Sequence, residues 1–133
     1  AYINNEDRPF TGKYVAERYS SGKKKTEISF IHGRMTGPST FWYSNGQVDK
    51  ILEYKNRIQN GKSTAWFKSG QKKAEMNYIN DKLSGLFVRW HENGQKAYIF
   101  NFLDGKKHGA TIVWDESGRI KKEEYYNHGK LIQ

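Results

Sequence analysis

Three observations predict an all-β fold, an elongated single-layer antiparallel sheet assembled from five hairpin repeats of 24 residues. Gly22, Gly46, Gly70, Gly94 and Gly118 recur at that interval. Trp42, Trp66, Trp90 and Trp114 keep it, as do Phe30, Tyr54, Tyr78, Phe102 and Tyr126. No 3.6-residue spacing of an amphipathic helix competes with this period. A period in this range marks a solenoid or array, in which one supersecondary unit buries its apolar face only against its neighbours.

The units follow in order. A second glycine opens each, at Gly12, Gly37, Gly61, Gly85 and Gly109, dividing the chain into an N-terminal extension or cap over 1–11 and an array over 12–133. The first unit is one residue longer than the rest and carries Arg18 where the others carry Trp. Each unit reads as two strands around a three-residue loop, for example Thr40 to Tyr43, then Ser44-Asn45-Gly46, then Gln47 to Tyr54. The third loop position needs φ > 0, which glycine adopts without steric cost. Turn-rich stretches such as 54–61 and 101–109 bring the next hairpin alongside the last.

Loop closure also predicts faces. If Tyr43 pairs with Gln47, Trp42 lies opposite Val48, and strict alternation places Trp42, Leu52 and Tyr54 on one side. The same rule collects Trp66, Met76 and Tyr78, then Trp90, Tyr98, Phe100 and Phe102. Stacked hairpins turn these into ladders, the expected core, in which aromatic cross-strand pairs each add roughly 0.2 to 1 kcal/mol. The ends of the array are expected to be more polar, and Arg18 and Glu124 replace apolar residues there.

Composition agrees with a thin sheet. Of 133 residues 35% are hydrophobic, concentrated in four Trp, nine Tyr and seven Phe, and mean hydropathy is -0.96. That aromatic content argues against disorder. The absence of cysteine excludes disulfides, thiolate metal sites and cysteine nucleophiles. No apolar run approaches the roughly 20 residues of a membrane helix, and no signal-peptide core is evident. The net charge of +9 and a pI near 9.6 favour acidic proteins, anionic lipid or nucleic acid as partners.

Gly37 to Gln47 (GPSTFWYSNGQ), Gly61 to Gln71 (GKSTAWFKSGQ) and Gly85 to Gln95 (GLFVRWHENGQ) share a glycine, a tryptophan and a Gly-Gln turn, with an aromatic eight residues beyond the second glycine. Over residues 10 to 131 this pattern resembles the bacterial form of the MORN repeat. With Asp104-Gly105-Lys106-Lys107-His108-Gly109 it is similar to the YwqK-type branch, to which an antitoxin role is attached. The resemblance implies an elongated sheet serving as a protein-interaction or scaffold module, or a neutraliser of a toxin partner, with phospholipid binding as the alternative. It also implies a bacterial source: cytoplasm or, if a leader preceded Ala1, periplasm or cell surface. Arg18 and His91 depart from the Trp and Tyr/Phe positions of the motif.

Catalytic and cofactor chemistry finds little support. Asn60-Gly61-Lys62-Ser63-Thr64 mimics the tail of a phosphate-binding loop, but Asn56 stands where that loop needs its first glycine, and a strand follows rather than a helix. His32 and His128 share a repeat position at opposite ends of the array, while His91 and His108 lie at different positions with no recurrent third ligand. Glu27, Glu75 and Glu123 stand two repeats apart among lysines, unlike the close carboxyl pair of a glycosidase. No G-x-S-x-G elbow occurs. We therefore expect no enzyme, no metal and no cofactor.

Binding surfaces are better marked. Lys23, Lys24, Lys25, Lys72, Lys73, Lys96, Lys121 and Lys122 follow the turn glycines, predicting a basic stripe along the turn edge. Lys72 is expected across from Trp66 and Lys96 across from Trp90, where lysine stems cover indoles and add a cation-π contribution of about 0.5 to 1 kcal/mol. Phe41, Tyr43 and Phe67 are expected off the core face, where later units have Arg89, His91 and Asp115. These residues are the predicted partner-binding surface: Phe41, Tyr43, Phe67, Arg89, His91, Lys72, Lys73 and Lys96. Its partner is a protein with an acidic patch. Anionic lipid is the alternative, nucleic acid is disfavoured because no RNA-binding signature appears, and a second copy of the array could pair through a face or edge.

Overall fold

The computed structural model describes residues 9–133, and among them there is no helix. Two long strands, β1 (Gly12–Arg18) and β2 (Lys24–Ile31), form the first hairpin, and β3 (Arg34–Trp42) and β4 (Val48–Lys55) the second. Each later unit adds a two-residue strand before its hairpin. These are β5 (Ile58–Gln59), β6 (Gly61–Trp66) and β7 (Lys72–Ile79), then β8 (Lys82–Leu83), β9 (Gly85–Trp90) and β10 (Lys96–Leu103). The last are β11 (Lys106–Lys107), β12 (Gly109–Trp114) and β13 (Ile120–Asn127), followed by β14 (Lys130–Leu131). All join one open antiparallel sheet in which the long strands follow chain order and each short strand returns along the end of its predecessor. Of the expected extension over 1–11, residues 1–8 lie outside the described part; the Phe10 ring meets Phe30 edge-on at 6.0 Å.

Turn chemistry explains the two edges of the sheet. At one edge Tyr43 N–H donates to Gln47 O and Gly46 N–H to Tyr43 O, closing the three-residue loop expected from the sequence with Gly46 at φ 89°. At the other, two-residue turns link each long strand to the short one after it. Both residues of these turns have positive φ, as at Asn56 (48°) and Arg57 (72°) or Asp104 (50°) and Gly105 (79°), the type I′ geometry whose twist suits a hairpin. The inter-unit stretches are thus tight hairpins themselves. Repeat-opening Gly61 has φ 120°, and a Cβ there would stand 3.1 Å from Glu53 Cβ, so both backbone geometry and close approach require glycine.

The faces differ from strict alternation. Trp42 does pair with Val48, but the next pair is Phe41 with Lys50, leaving Asp49 as an extra residue. The same β-bulge recurs at Lys73, Ala97 and Lys121, and at Lys25 in the first unit, where a second irregularity at Ala16 absorbs its additional residue. One extra residue inverts the side-chain alternation of everything beyond it. Trp42 therefore shares its face with Thr40, Ile51 and Glu53, whereas Leu52 and Tyr54 lie on the other with Phe41 and Ser39. The expected single ladder face of Trp42, Leu52 and Tyr54 is incorrect, as are its counterparts in the third and fourth units. The sheet has two ladders, an indole face and a packed face.

Packing on the second of these alternates small and large residues. Ile28 and Leu52 flank Ser39 in register, Met76 pairs with Ser63, and Ser39, Ser63 and Thr111 are nearly fully buried. The fourth unit places Phe87 at this position, where it meets Tyr98, Phe100 and Phe102 at centroid distances of 5.8 to 6.3 Å. Among the described residues no second layer covers the sheet, and burial comes from large side chains of one strand leaning over small ones of the next.

Candidate functional site

Three hairpins are tied to the next by the residue that follows the tryptophan position. Tyr19 Oη donates to Trp42 O at 2.6 Å, Tyr43 Oη to Trp66 O at 2.6 Å, and His91 Nε2 lies 3.1 Å from Trp114 O. A carbonyl only accepts, so Nε2 of His91 carries the hydrogen. Phe67 occupies the same position in the third unit with no donor to offer Trp90 O. Asp115 ends the series by turning inward: its Oδ1 accepts from Ser117 N, Ser117 Oγ and Arg119 N, and these bonds hold its carboxyl below the ordinary range.

The bulge residue faces the aromatic of its own turn. Lys25 Nζ lies 5.6 Å from the Tyr19 ring centroid and Lys73 Nζ 5.6 Å from that of Phe67. Burial, and then the charge of Asp49, pushes the Tyr43 hydroxyl pKa up. The fourth unit has Ala97 at this position, 8% exposed and too short to cover His91. A cavity of about 690 Å³ opens there, lined among others by Phe67, Arg89, His91, Tyr98 and Lys121, with Ala97 among its walls. Register sets Arg89 between Ala74 and Tyr98, half-buried, and no carboxylate pairs with it among the described residues.

The predicted binding residues are thus distributed unevenly. Phe67, Arg89 and His91 come together at this cavity. Phe41 and Tyr43 lie on the packed face in the second unit, which corrects the expectation that they and Phe67 stand opposite the core ladder. They do not form an open aromatic patch: Lys50 Nζ lies 4.9 Å from the Phe41 centroid and Lys68 Nζ 5.9 Å from that of Tyr43. Lys72 and Lys96 are paired with Trp66 and Trp90 as expected, but the ring Lys72 Nζ covers is Trp90 of the following unit, at 5.7 Å. Lys24 covers Trp42 in the same way at 5.8 Å. The bulge divides the basic stripe, sending Lys24, Lys72 and Lys96 to the indole face and Lys122 to the packed face.

Two carboxylates on the indole face are neutralised locally. Glu27 binds Lys24 at 2.8 Å; Glu75 accepts from Lys72 and lies 3.4 Å from Lys62, and the Lys72 bond chiefly lowers its pKa. Lys62 is thereby engaged, and Ser63 beside it faces the sheet interior, so this segment serves packing. Register also joins two histidines that the sequence places apart: the His108 and His128 rings are 4.6 Å between centroids, and His128 N–H donates to His108 Nδ1 at 3.1 Å. The cavity escaped the sequence reading although its signal was present, since Ala97 interrupts a position otherwise held by Lys25, Asp49, Lys73 and Lys121.

An open sheet of register-locked hairpins, three of them joined to the next by side-chain-to-carbonyl bonds, defines a β-solenoid repeat protein. The chain belongs to the MORN repeat family: the model described as MORN repeat variant matches residues 35–56, 59–80, 83–104 and 107–128, more than half its length. The first hairpin, with Arg18 and the irregularity at Ala16, falls outside those segments. No curated protein matches the chain. Modules of this family are commonly non-catalytic and bind proteins or membranes.

Proposed function

We propose that this chain is a non-catalytic module that binds a protein partner bearing an acidic patch, acting as a scaffold or, as the YwqK-type resemblance implies, as a neutraliser of a toxin. The observation that carries this reading is the convergence of Phe67, Arg89 and His91 on a cavity in the one unit whose bulge residue is alanine. Aromatic and arginine side chains around a concavity are the usual makeup of an interface hot spot. The charge of +9 adds long-range attraction to an acidic partner. Replacement of Phe67 and Arg89 by Ala tests the surface: the β-sheet circular dichroism spectrum should persist while capture of the native partner weakens. Unchanged capture would remove these residues from the interface.

A second reading, association with anionic membranes, is favoured by the type I′ edge. There Ile31 pairs with Arg34, Ile58 with Lys55, Ile79 with Lys82 and Leu103 with Lys106, and all four aliphatic side chains are exposed. A row of alternating aliphatic and cationic residues suits an acidic lipid surface. Sedimentation with acidic liposomes, lost in high salt and absent with neutral ones, is the expected result; equal binding to neutral liposomes excludes it.

A further inference from the structure

We infer that the cavity over Ala97 is a carboxylate-anchoring subsite, which receives one Asp or Glu side chain, flanked by apolar residues, from an extended segment of the protein partner. The inference rests on the protein-binding reading above and names the chemistry of its contact. In the first, third and fifth units a lysine stands at the bulge, and in the second an aspartate; Ala97 alone leaves the space open. Arg89 is the group best suited to select what enters. Its guanidinium has no acidic partner among the described residues, it is half-buried, and register places it beside Tyr98.

A planar guanidinium at low exposure favours a carboxylate, whose two oxygens it can engage together. Lys121 adds a second positive charge, while Phe67, Tyr98 and Val113 supply apolar wall for the flanking residues. The cavity also has Glu92 and Glu116 among its lining residues. These would repel a second negative charge, so the subsite suits a single carboxylate rather than a polyanionic phosphate chain. Phe67 contributes here as well: a tyrosine would direct its hydroxyl to Trp90 O, as Tyr43 does to Trp66 O, whereas phenylalanine keeps the wall apolar.

The test is a titration of the isotope-labelled protein with the capped peptide acetyl-Gly-Leu-Glu-Leu-Gly-amide and its Gln twin, read by NMR. The Glu peptide should shift the Trp90 and Trp114 indole signals and backbone signals of residues 89–98 and 113–121. The Gln twin, or Arg89→Gln with the Glu peptide, should bind about tenfold more weakly, the loss expected for one charge-assisted contact. Ala97→Lys should abolish the response with an unchanged circular dichroism spectrum, because lysine is accommodated at this position in three other units. Equal response to the two peptides, no response to the Glu peptide, or full response in a folded Ala97→Lys protein would overturn the subsite. Partner capture by the Phe67 and Arg89 variant is read separately. Its loss alongside a silent peptide titration removes the carboxylate subsite and leaves the protein-binding surface standing.

Discussion

Single side chains hold neighbouring units together. Tyr43→Phe removes one phenol-to-carbonyl bond at a part-buried site and should lower unfolding free energy by about 1 kcal/mol in urea titrations. Phe67→Tyr should do the reverse by a similar amount, since Trp90 holds the repeat position of Trp42, Trp66 and Trp114 and Phe67 offers its carbonyl no hydroxyl; a destabilised Phe67→Tyr protein would show that the third junction differs in more than a hydroxyl. Asp115 sets a pH dependence. Hydrogen bonds from Ser117 and the Arg119 N–H lower its folded pKa, so its contribution to stability is complete above the ordinary value of about 4 and disappears as pH falls through the lower folded value. Asp115→Asn keeps an acceptor and cannot titrate, so its urea midpoint should fall less than that of the parent between pH 5 and pH 2. The recurrence of a ring-bearing residue after three of the four tryptophans, Tyr43, Phe67 and His91, was legible in the sequence; its role as a tie was not, because the accepting carbonyl lies one repeat away.

Strands and turns carry the next level. The three-residue loops were fully legible, because Gly46 and its counterparts mark the one position where φ must be positive. The type I′ turns were less so. His32, Asp104 and His128 precede glycine, but Asn56-Arg57 and Asn80-Asp81 fill both left-handed positions without it. Arginine at φ 72° costs roughly 1 to 2 kcal/mol against the right-handed form, offset in part by the entropy glycine loses on folding. Arg57→Gly should therefore raise the thermal midpoint, by a stability gain of about 0.5 to 1 kcal/mol; a lower midpoint would mean that the Arg57 side chain supplies compensating contacts. Bulges can be tested directly. Deletion of Lys73 removes the unpaired residue but leaves Met76 opposite Ser63 and Tyr78 opposite Gly61 on their present face, so the β-sheet circular dichroism spectrum should persist; loss of cooperative unfolding would show that the bulge supplies more than register.

At the scale of the molecule, stability is a sum over neighbouring units rather than the property of one central core. Excision of residues 61–84, one complete period, rejoins Asn60 to Gly85 and keeps every remaining hairpin beside a neighbour. The shortened protein should stay folded by circular dichroism, with a smaller urea m-value in proportion to the surface lost. Complete unfolding would show that the array depends on the particular third unit. Departures from the period are also the places where function is proposed: Phe67, Ala97 and Arg89 interrupt three repeat positions that meet at one cavity.

The sequence by itself determined the period, the hairpin loops, the all-β class and the absence of a conventional hydrophobic core, since each follows from spacing and from the φ that glycine permits. Tertiary structure decided which face each side chain occupies. The extra residue at Asp49, Lys73, Ala97 and Lys121 recurs in every unit, so it leaves the 24-residue period intact and is invisible to it; only the pairing of strands shows that one residue has no partner. Trp42 and Tyr54 consequently fall on opposite faces, and Ala97, one short side chain in the sequence, becomes a cavity because its neighbours in three dimensions are Phe67, Arg89 and His91.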